Sequence, residues 1–326
     1  MANYIGLDLG GTNIKAGVVN DRGRVLTSDS VPTPGRGGPD AVIETMIGVA
    51  SAVAESADVR FSDVQSIGIG TPGLLDYESG VVIALPNLPG WSNQPLRDRV
   101  EGRLGRPTVI ENDANAAAFG EFWAGAGRER SIRHLVMLTL GTGIGSGVII
   151  DGRVLHGGFN LGAEGGHMIV DPDGPKCACG QRGCVESFAS AAHMSRRAVE
   201  ALQTGERSSL QQIRDQGEPI TAKDVFDAAR GGDALARRLA EQTADYLAIG
   251  CINLCRLLDP QMIVFSGGMI LAGQTLFNLV RAAFERRTWS IATDRVELVP
   301  ARLGNDAGFI GAAAVAWDAH QRGLAG

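Results

Sequence analysis

Three cysteines and one histidine fall within the eighteen residues from His167 to Cys184, written Glu164-Gly-Gly-His167 and then Cys177-Ala-Cys179-Gly-Gln-Arg-Gly-Cys184-Val-Glu186. Thiolate and imidazole are the ligands of a closed tetrahedral zinc site, so His167, Cys177, Cys179 and Cys184 read as a Cys3His structural zinc centre. Gly180 and Gly183 stand between the last two cysteines, where a tight ligand knuckle needs φ > 0 or close backbone approach. The bland alternative is a loop that happens to carry thiols. Glu164 lies three residues before His167, and Glu186 two after Cys184. A metal holding this loop also fixes two carboxylates, and carboxylates on a rigid knot accept hydrogen bonds from a polyol.

Two further stretches carry the residues for anion chemistry. Asp8 closes a short apolar run and is followed by Gly10, Gly11 and Thr12, whose backbone N–H groups are expected to turn towards a phosphate while Asp8 serves a magnesium ion or its waters. Alone, such a turn is usually only a hairpin. A second turn, Gly141-Thr142-Gly143-Ile144-Gly145-Ser146-Gly147, lies between two strands, with glycine at every other position. It lacks the G-x-G-x-x-G spacing and the following helix of a dinucleotide site, and no G-x-x-x-x-G-K-S/T occurs. With only Lys15, Lys176 and Lys223 in the chain, a phosphate site is expected to rest on backbone amides and metal. Between these turns, Glu111-Asn112-Asp113-Ala-Asn115 follows the strand Pro107 to Ile110. Ligands of open α/β sheets bind outside the carboxyl ends of strands, which places Asn112 and Asp113 at a substrate; the plain alternative makes either one a helix N-cap.

The elements that position these groups read as strands over 3–9, 14–19 and 25–31, a helix over 40–57 with Asp40 as N-cap, a strand over 66–70 running into the turn Thr71-Pro72-Gly73, and a short strand over 81–84. An apolar loop, Leu85 to Trp91, is expected to line a cleft, ahead of a helix over 95–104 and the strand before Asn112. After the strand 134–140 and the cysteine cluster, helices are predicted over 191–203, 221–230 and 234–258, with a polar connector over 204–219. A strand over 261–265 leads into Ser266-Gly267-Gly268, a helix over 271–287, a strand over 296–300 and a last helix over 306–319. Gly267 and Gly268, with the start of that last helix, are expected at the nucleoside. The two glycine turns, each after a strand and before another, indicate one α/β unit used twice, with a nucleotide between the halves.

Composition bounds the rest. At 326 residues the chain exceeds the size at which single cores stop growing, and two domains are expected. Hydrophobic content of 44% with 20% charge describes a globular protein. A net charge of −6 supplies no footprint for nucleic acid. No apolar run reaches the roughly 18 residues of a membrane span, and no signal sequence is evident; together with thiols placed to serve a metal, this makes a cytoplasmic protein the expectation. Cys251 and Cys255, spaced i, i+4 in an apolar helical pattern, read as core thiols.

Taken together, Asp8-Leu-Gly-Gly-Thr12, Glu111-Asn-Asp-Ala-Asn115, the Gly141 to Gly147 turn, Glu164-Gly-Gly-His167 and the Cys177 to Glu186 motif run nearly end to end, and the chain resembles the ROK family, in particular its bacterial zinc-containing glucokinases. The resemblance implies an α/β, actin-like ATPase (ribonuclease H-like) fold with two α/β domains flanking a cleft, divided as 1–112 plus 307–326 and 113–306, and a homodimer or homotetramer. It implies ATP-dependent phosphorylation of the 6-hydroxyl of glucose, with Mg²⁺ accompanying ATP and zinc as a structural metal. Asp113 is then the catalytic base, ionised at an unperturbed pKa of about 3.9. Gly73, Asn112, Asp113, Glu164, His167 and Glu186 bind the sugar, and the nucleotide is held by Asp8 through Mg²⁺, by Gly10, Gly11, Thr12, Gly141, Thr142 and Gly143 at the phosphates, and by Gly267 and Gly268 on the nucleoside side. Phosphoryl transfer asks a protein mainly to position an acceptor and balance charge, which these groups suit. Other readings are a kinase for another hexose or an N-acetylhexosamine, and a sugar-responsive repressor; such repressors carry a helix-turn-helix domain ahead of the first glycine loop, for which Asp8 is expected to leave no room.

Overall fold

The computed structural model describes residues 1–85, 88–289 and 295–324. In chain order the strands are β1 (Asn3–Leu9), β2 (Asn13–Asn20), β3 (Val25–Pro32), β4 (Val64–Thr71), β5 (Leu74–Asp76), β6 (Val81–Ala84), β7 (Ser92–Gln94), β8 (Thr108–Asn112), β9 (Leu135–Leu140), β10 (Ile144–Ile150), β11 (Arg153–Val154), β12 (Met262–Ser266) and β13 (Glu297–Pro300). The helices are α1 (Gly38–Ser56), α2 (Leu96–Leu104), α3 (Asp113–Trp123), α4 (Val185–Ala189), α5 (Ala191–Gln203), α6 (Gln211–Asp215), α7 (Ala222–Arg230), α8 (Ala234–Leu258), α9 (Gln274–Arg287) and α10 (Ala307–Gln321). Two five-stranded sheets have the same plan, β3-β2-β1-β4-β8 and β11-β10-β9-β12-β13, so the repeat anticipated from the glycine turns is present as topology. In the first, β1, β2 and β3 are antiparallel neighbours, and β4 and β8 run parallel to β1.

The chain forms two compact units, Met1–Ser131 with Gly147–Gly162 and Ala301–Gly326, and Ile132–Ser146 with Ala163–Pro300. In the first unit, β1 and β4 are buried along most of their length, as strands covered on both faces must be. One cover is α1, whose buried residues Val42, Ile43, Met46, Val49, Ala50 and Val53 are the stripe expected from helical spacing. Its start differs: the N-cap is Gly37, Pro39 occupies the first turn, and Asp40 lies inside the helix, because Pro with its missing N–H suits that position. The other cover is α10. A Cβ at Gly6 or Gly68 would collide with the Phe309 or Ala312 carbonyl, so glycine in the strands and alanine in the helix let α10 lie directly on the sheet.

Helix α3 belongs to this first unit, whereas the division expected from sequence put residues from 113 onward in the other half. The reason is close packing: a Cβ on Gly311 of α10 would overlap the Ala116 carbonyl of α3. Residues 301–306 join it too, because the fully buried Glu121 of α3 accepts N–H bonds from Ala126 (2.8 Å), Arg302 (2.9 Å) and Leu303 (2.7 Å). A buried carboxylate without such donors would cost several kcal/mol, so these bonds hold the returning chain to α3. The segment expected to line a cleft instead plugs this core, with Leu85, Leu88 and Trp91 buried among Ile110, Leu96 and their neighbours; residues 86–87 lie outside the described set.

The second unit is built around α8, whose buried residues from Leu235 to Leu254 include Cys251, while Cys255 is half-buried. Phe188 of α4 stacks on Tyr246 of α8, with ring centroids 3.7 Å apart. Three boundaries differ from expectation. The polar connector contains the short helix α6, the helix predicted from 271 begins at Gln274 after a 3-10 turn over Gly268–Ala272, and β10 starts at Ile144, so Gly145 and Gly147 are strand and only Gly141 to Gly143 turn. Among the described residues no helix is long and apolar enough to cross a membrane.

Candidate active site

Parallel pairing places the first group of side chains. Asp8 pairs with Gly70, and Gly70 with Glu111, so the ends of β1, β4 and β8 stand level and Asp8 lies two strands, about 10 Å of backbone, from the β8 terminus. There α3 begins. Asn112 is its N-cap, with Oδ1 accepting the N–H of Ala114 (3.0 Å) and of Asn115 (3.3 Å), so the plain capping role does apply to Asn112 and its amide Nδ2 is what remains for a ligand. Asp113, the first helical residue, accepts the Ala114 N–H at 2.9 Å through Oδ1.

The two carboxylates are not ordinary. Burial pushes the Asp113 carboxyl up from its usual value, against the lowering effect of the Ala114 amide, which corrects the expectation of an unperturbed base. Asp8 is raised to about 6, first by burial and then by the charge of Asp113, with Lys15 pulling the other way. A Cβ at Gly308 would meet the Asp8 carboxylate, so the first turn of α10 lies against it. Lys15 was passed over in the sequence, where its three-lysine company made a cationic contribution to a phosphate site unexpected. The structure pairs it directly with Asp8 across the β1–β2 hairpin, and its Nζ donates to the Asn305 carbonyl at 2.6 Å. The signal was available: residues 8 and 15 fall opposite each other when the turn is closed at 10–13.

Both glycine turns close hairpins with their own amides. Gly10 donates its N–H to Asn13 O at 3.0 Å, and Gly141 to Gly143 O at 3.0 Å, so these two amides are not donors to an anion. Gly11 and Thr12, and Thr142 and Gly143, are left with that task. Thr33 braces the first turn, its N–H bonded to Thr12 O and its hydroxyl to Gly10 O. Gly267 follows β12 at φ +87, with no room for a Cβ beside the Leu140 carbonyl. Gly73 at φ +99 is likewise closed in by the Ala84 carbonyl.

In the second unit, a bridge of Ile169 to Cys184, with Val185 donating to Met168 O, brings His167 beside the last cysteine. A second bridge, Lys176 to Arg182, forms the knuckle, in which Gly180 and Gly183 take φ +94 and +72 as expected. One ligand atom from each of His167, Cys177, Cys179 and Cys184 lies within 4.8 Å of all the others. His167 turns Nδ1 to the Cys177 sulfur at 3.7 Å, which leaves Nε2 on the opposite edge. Burial and the neighbouring thiols push the Cys184 thiol up to about 12. Burial raises the Cys177 thiol too, whereas the Gln181 amide lowers that of Cys179. Three sulfurs and an imidazole nitrogen converging in one place are the donor set of a thiophilic divalent metal. Glu186 faces the second glycine turn: Oε2 accepts the Ile144 N–H at 2.8 Å, and Oε1 lies 3.5 Å from the Cys177 sulfur. Glu164 is exposed and its carboxylate has no hydrogen bond among the described residues. The turn before it is held by Ser146, whose hydroxyl bonds the Ala163 carbonyl and accepts the Gly165 N–H.

A fold with two sheets of matching order, an acidic pair at strand ends, two glycine turns and a Cys3His cluster is the setting of a phosphotransferase of the actin-like ATPase fold, and the comparisons agree. The ROK family profile matches residues 4–319, and the chain belongs to that family. A glucokinase from Thermotoga maritima is 38% identical over 311 residues, which cover 95% of this chain and 96% of that protein. The ROK hexokinase from Thermus thermophilus has a TM-score of 0.85 at 37% identity, covering 98% of this chain and 99% of that one. A ROK family glucokinase from Streptomyces griseus, solved in complex with glucose and AMPPNP, has a TM-score of 0.77 at 34% identity over 97% of this chain and 99% of that one.

Proposed function

We propose that this chain is an ATP-dependent glucokinase that phosphorylates the 6-hydroxyl of glucose, with Asp113 as the base. The observation that carries the reading is the 38% identity to a glucokinase across 95% of the chain. The site supports it. As the 6-oxygen attacks the γ-phosphorus and ADP leaves, the hydroxyl proton passes to the Asp113 carboxylate. A carboxyl raised by burial is a stronger base than a free one, so the shift on Asp113 helps the transfer wherever the group remains ionised. Asn112 Nδ2, Glu164, His167 Nε2 and Glu186 hold sugar hydroxyls, and Gly73 gives a close backbone approach. The amides of Gly11, Thr12, Thr142 and Gly143 hold phosphate oxygens, with Lys15 adding charge, and Gly267 and Gly268 serve the nucleoside. Asp8 orients the magnesium that arrives with ATP, a cation that relieves its repulsion with Asp113.

Zinc is the metal proposed for His167, Cys177, Cys179 and Cys184, where it would fix the loop and the His167 ring without entering the transfer. Three reduced thiols in one site fit a cytoplasmic setting, and a homodimer or homotetramer is part of the same reading, open to sizing by light scattering. The test is phosphorylation with Mg-ATP of glucose, mannose, fructose, allose, N-acetylglucosamine and N-acetylmannosamine. A glucose preference of tenfold or more in kcat/KM, about 1.4 kcal/mol in transition-state binding, is expected. Activity confined to an N-acetyl sugar would move the substrate, and no transfer to any hexose would overturn the reading.

A further inference from the structure

Glu111 is a carboxylate at 3% exposure, immediately before the residues that carry the chemistry. Its Oε1 accepts the Asn112 N–H at 2.9 Å and the Asn115 Nδ2 at 3.1 Å. Its Oε2 meets the His156 Nε2 at 2.8 Å, and a carboxylate already accepting through Oε1 makes Nε2–H the donor there. Tyr77 lies on the His156 ring, with centroids 4.0 Å apart and planes at 30°. Its phenol is raised above the usual range by burial, then by the charge of Glu111 and a hydrogen bond to it. All five residues lie in the first unit.

The bonds fall on both sides of Asp113. Asn112 is gripped through its backbone N–H and Asn115 through its side chain, while Asn112 Oδ1 in turn holds the amides of Ala114 and Asn115. Glu111 thus fixes the turn at its two ends, and His156 donates to its other oxygen, beside the Tyr77 phenol. We propose that Glu111 and His156 are positioning residues for Asp113, acting through the Asn112 to Asn115 turn. The competing role is purely structural, with His156 serving as a ring packed on Tyr77.

This inference rests on Asp113 being the base of the proposed kinase, and a pair of substitutions separates the two roles. His156→Phe keeps the stack on Tyr77 and removes the donor, whereas His156→Gln removes the ring and keeps a donor. Displacement of a reacting group by about 1 Å costs on the order of a hundredfold, so His156→Phe is expected to lower kcat for glucose about thirtyfold with KM changed less than about threefold. His156→Gln is expected to recover kcat to within about threefold of the parent. Amide hydrogen exchange gives a second readout that needs no activity: Ala114 and Asn115 should exchange at least tenfold faster in His156→Phe and not in His156→Gln. If the parent enzyme phosphorylates no hexose, the kinase reading fails while exchange still decides the positioning pair. Parental kcat and exchange in His156→Phe, or a greater loss in His156→Gln than in His156→Phe, would overturn the proposal. Should His156→Phe not fold, a kcat loss beyond tenfold in a folded His156→Gln would overturn it as well.

Discussion

Glu186 and Asp8 are both carboxylates beside a glycine turn that closes a β-hairpin, and they differ in what faces them. Glu186 accepts an amide N–H from Ile144 at 2.8 Å, directly after its turn. Asp8 faces another carboxylate, and with burial this raises it to about 6. The two turns are alike in backbone, each consuming its first glycine amide internally, and each sits in a sheet of the same strand order. The repeat therefore supplied two copies of one scaffold. One copy has its carboxylate hydrogen-bonded by the protein, which ties the cysteine–histidine loop to the turn. In the other, two acidic groups are left to be balanced by something that binds, which is where reactivity is expected.

The largest effect that sharpens this contrast is Asp113→Asn. An asparagine keeps the Oδ1 that accepts the Ala114 N–H, so the fold and glucose affinity are expected to survive while kcat falls about a thousandfold, the range for loss of a general base. Steady-state kinetics alongside calorimetric glucose binding checks it, and retained turnover would remove Asp113 from its role.

Asp8→Asn should reveal the cost of a buried charge beside Asp113 as stability. The folded carboxyl is raised from 3.8 to about 6, so the charged form opposes folding; the favourable contribution is complete below the unfolded value and lost as pH rises through about 6. Without nucleotide, Asp8→Asn is expected to gain up to about 3 kcal/mol at pH 8 and nothing near pH 3.5, measured by denaturant unfolding. An equal gain at both pH values would mean that burial and the Asp113 charge do not oppose ionisation of Asp8.

The smaller effect belongs to the other region. Cys179→Ser removes one of four converging ligands, and metal content by atomic absorption is expected to fall together with glucose affinity, the latter by about tenfold, the usual scale for loss of support around a metal site. Normal affinity in a metal-free variant would detach the knot from sugar binding.

What could be read in the sequence followed how local the cause was. The Cys3His spacing, the positive φ of Gly180 and Gly183, and the span of α8 from Ala234 to Leu258 depend on neighbours in the chain, and all were legible. The raised Asp113 was not, because it comes from burial that only the assembled fold creates. Lys15 beside Asp8 needed a hairpin register, and the Glu111–His156 pair spans 45 positions with no local motif to announce it. Leu88 and Trp91 looked like cleft lining since proline and glycine mark a loop, yet an apolar loop is free to turn inward when a core has room. Of the two roles the sequence left open for Asn112, the structure shows the cap through Oδ1, and Nδ2 takes no part in it.

The contrast between the two carboxylates is tested most directly by the pH dependence of kcat/KM for Mg-ATP, at saturating glucose, between pH 4.5 and 8. This parameter reports ionisations of the form that meets the nucleotide. The expected profile falls on the acid side with a midpoint near 6, where Asp8 takes up its proton, and loses that limb in Asp8→Asn. A profile in the parent enzyme that stays flat to pH 4.5 would contradict the account, since Asp8 would then be an ordinary carboxylate and the first turn no different from the second.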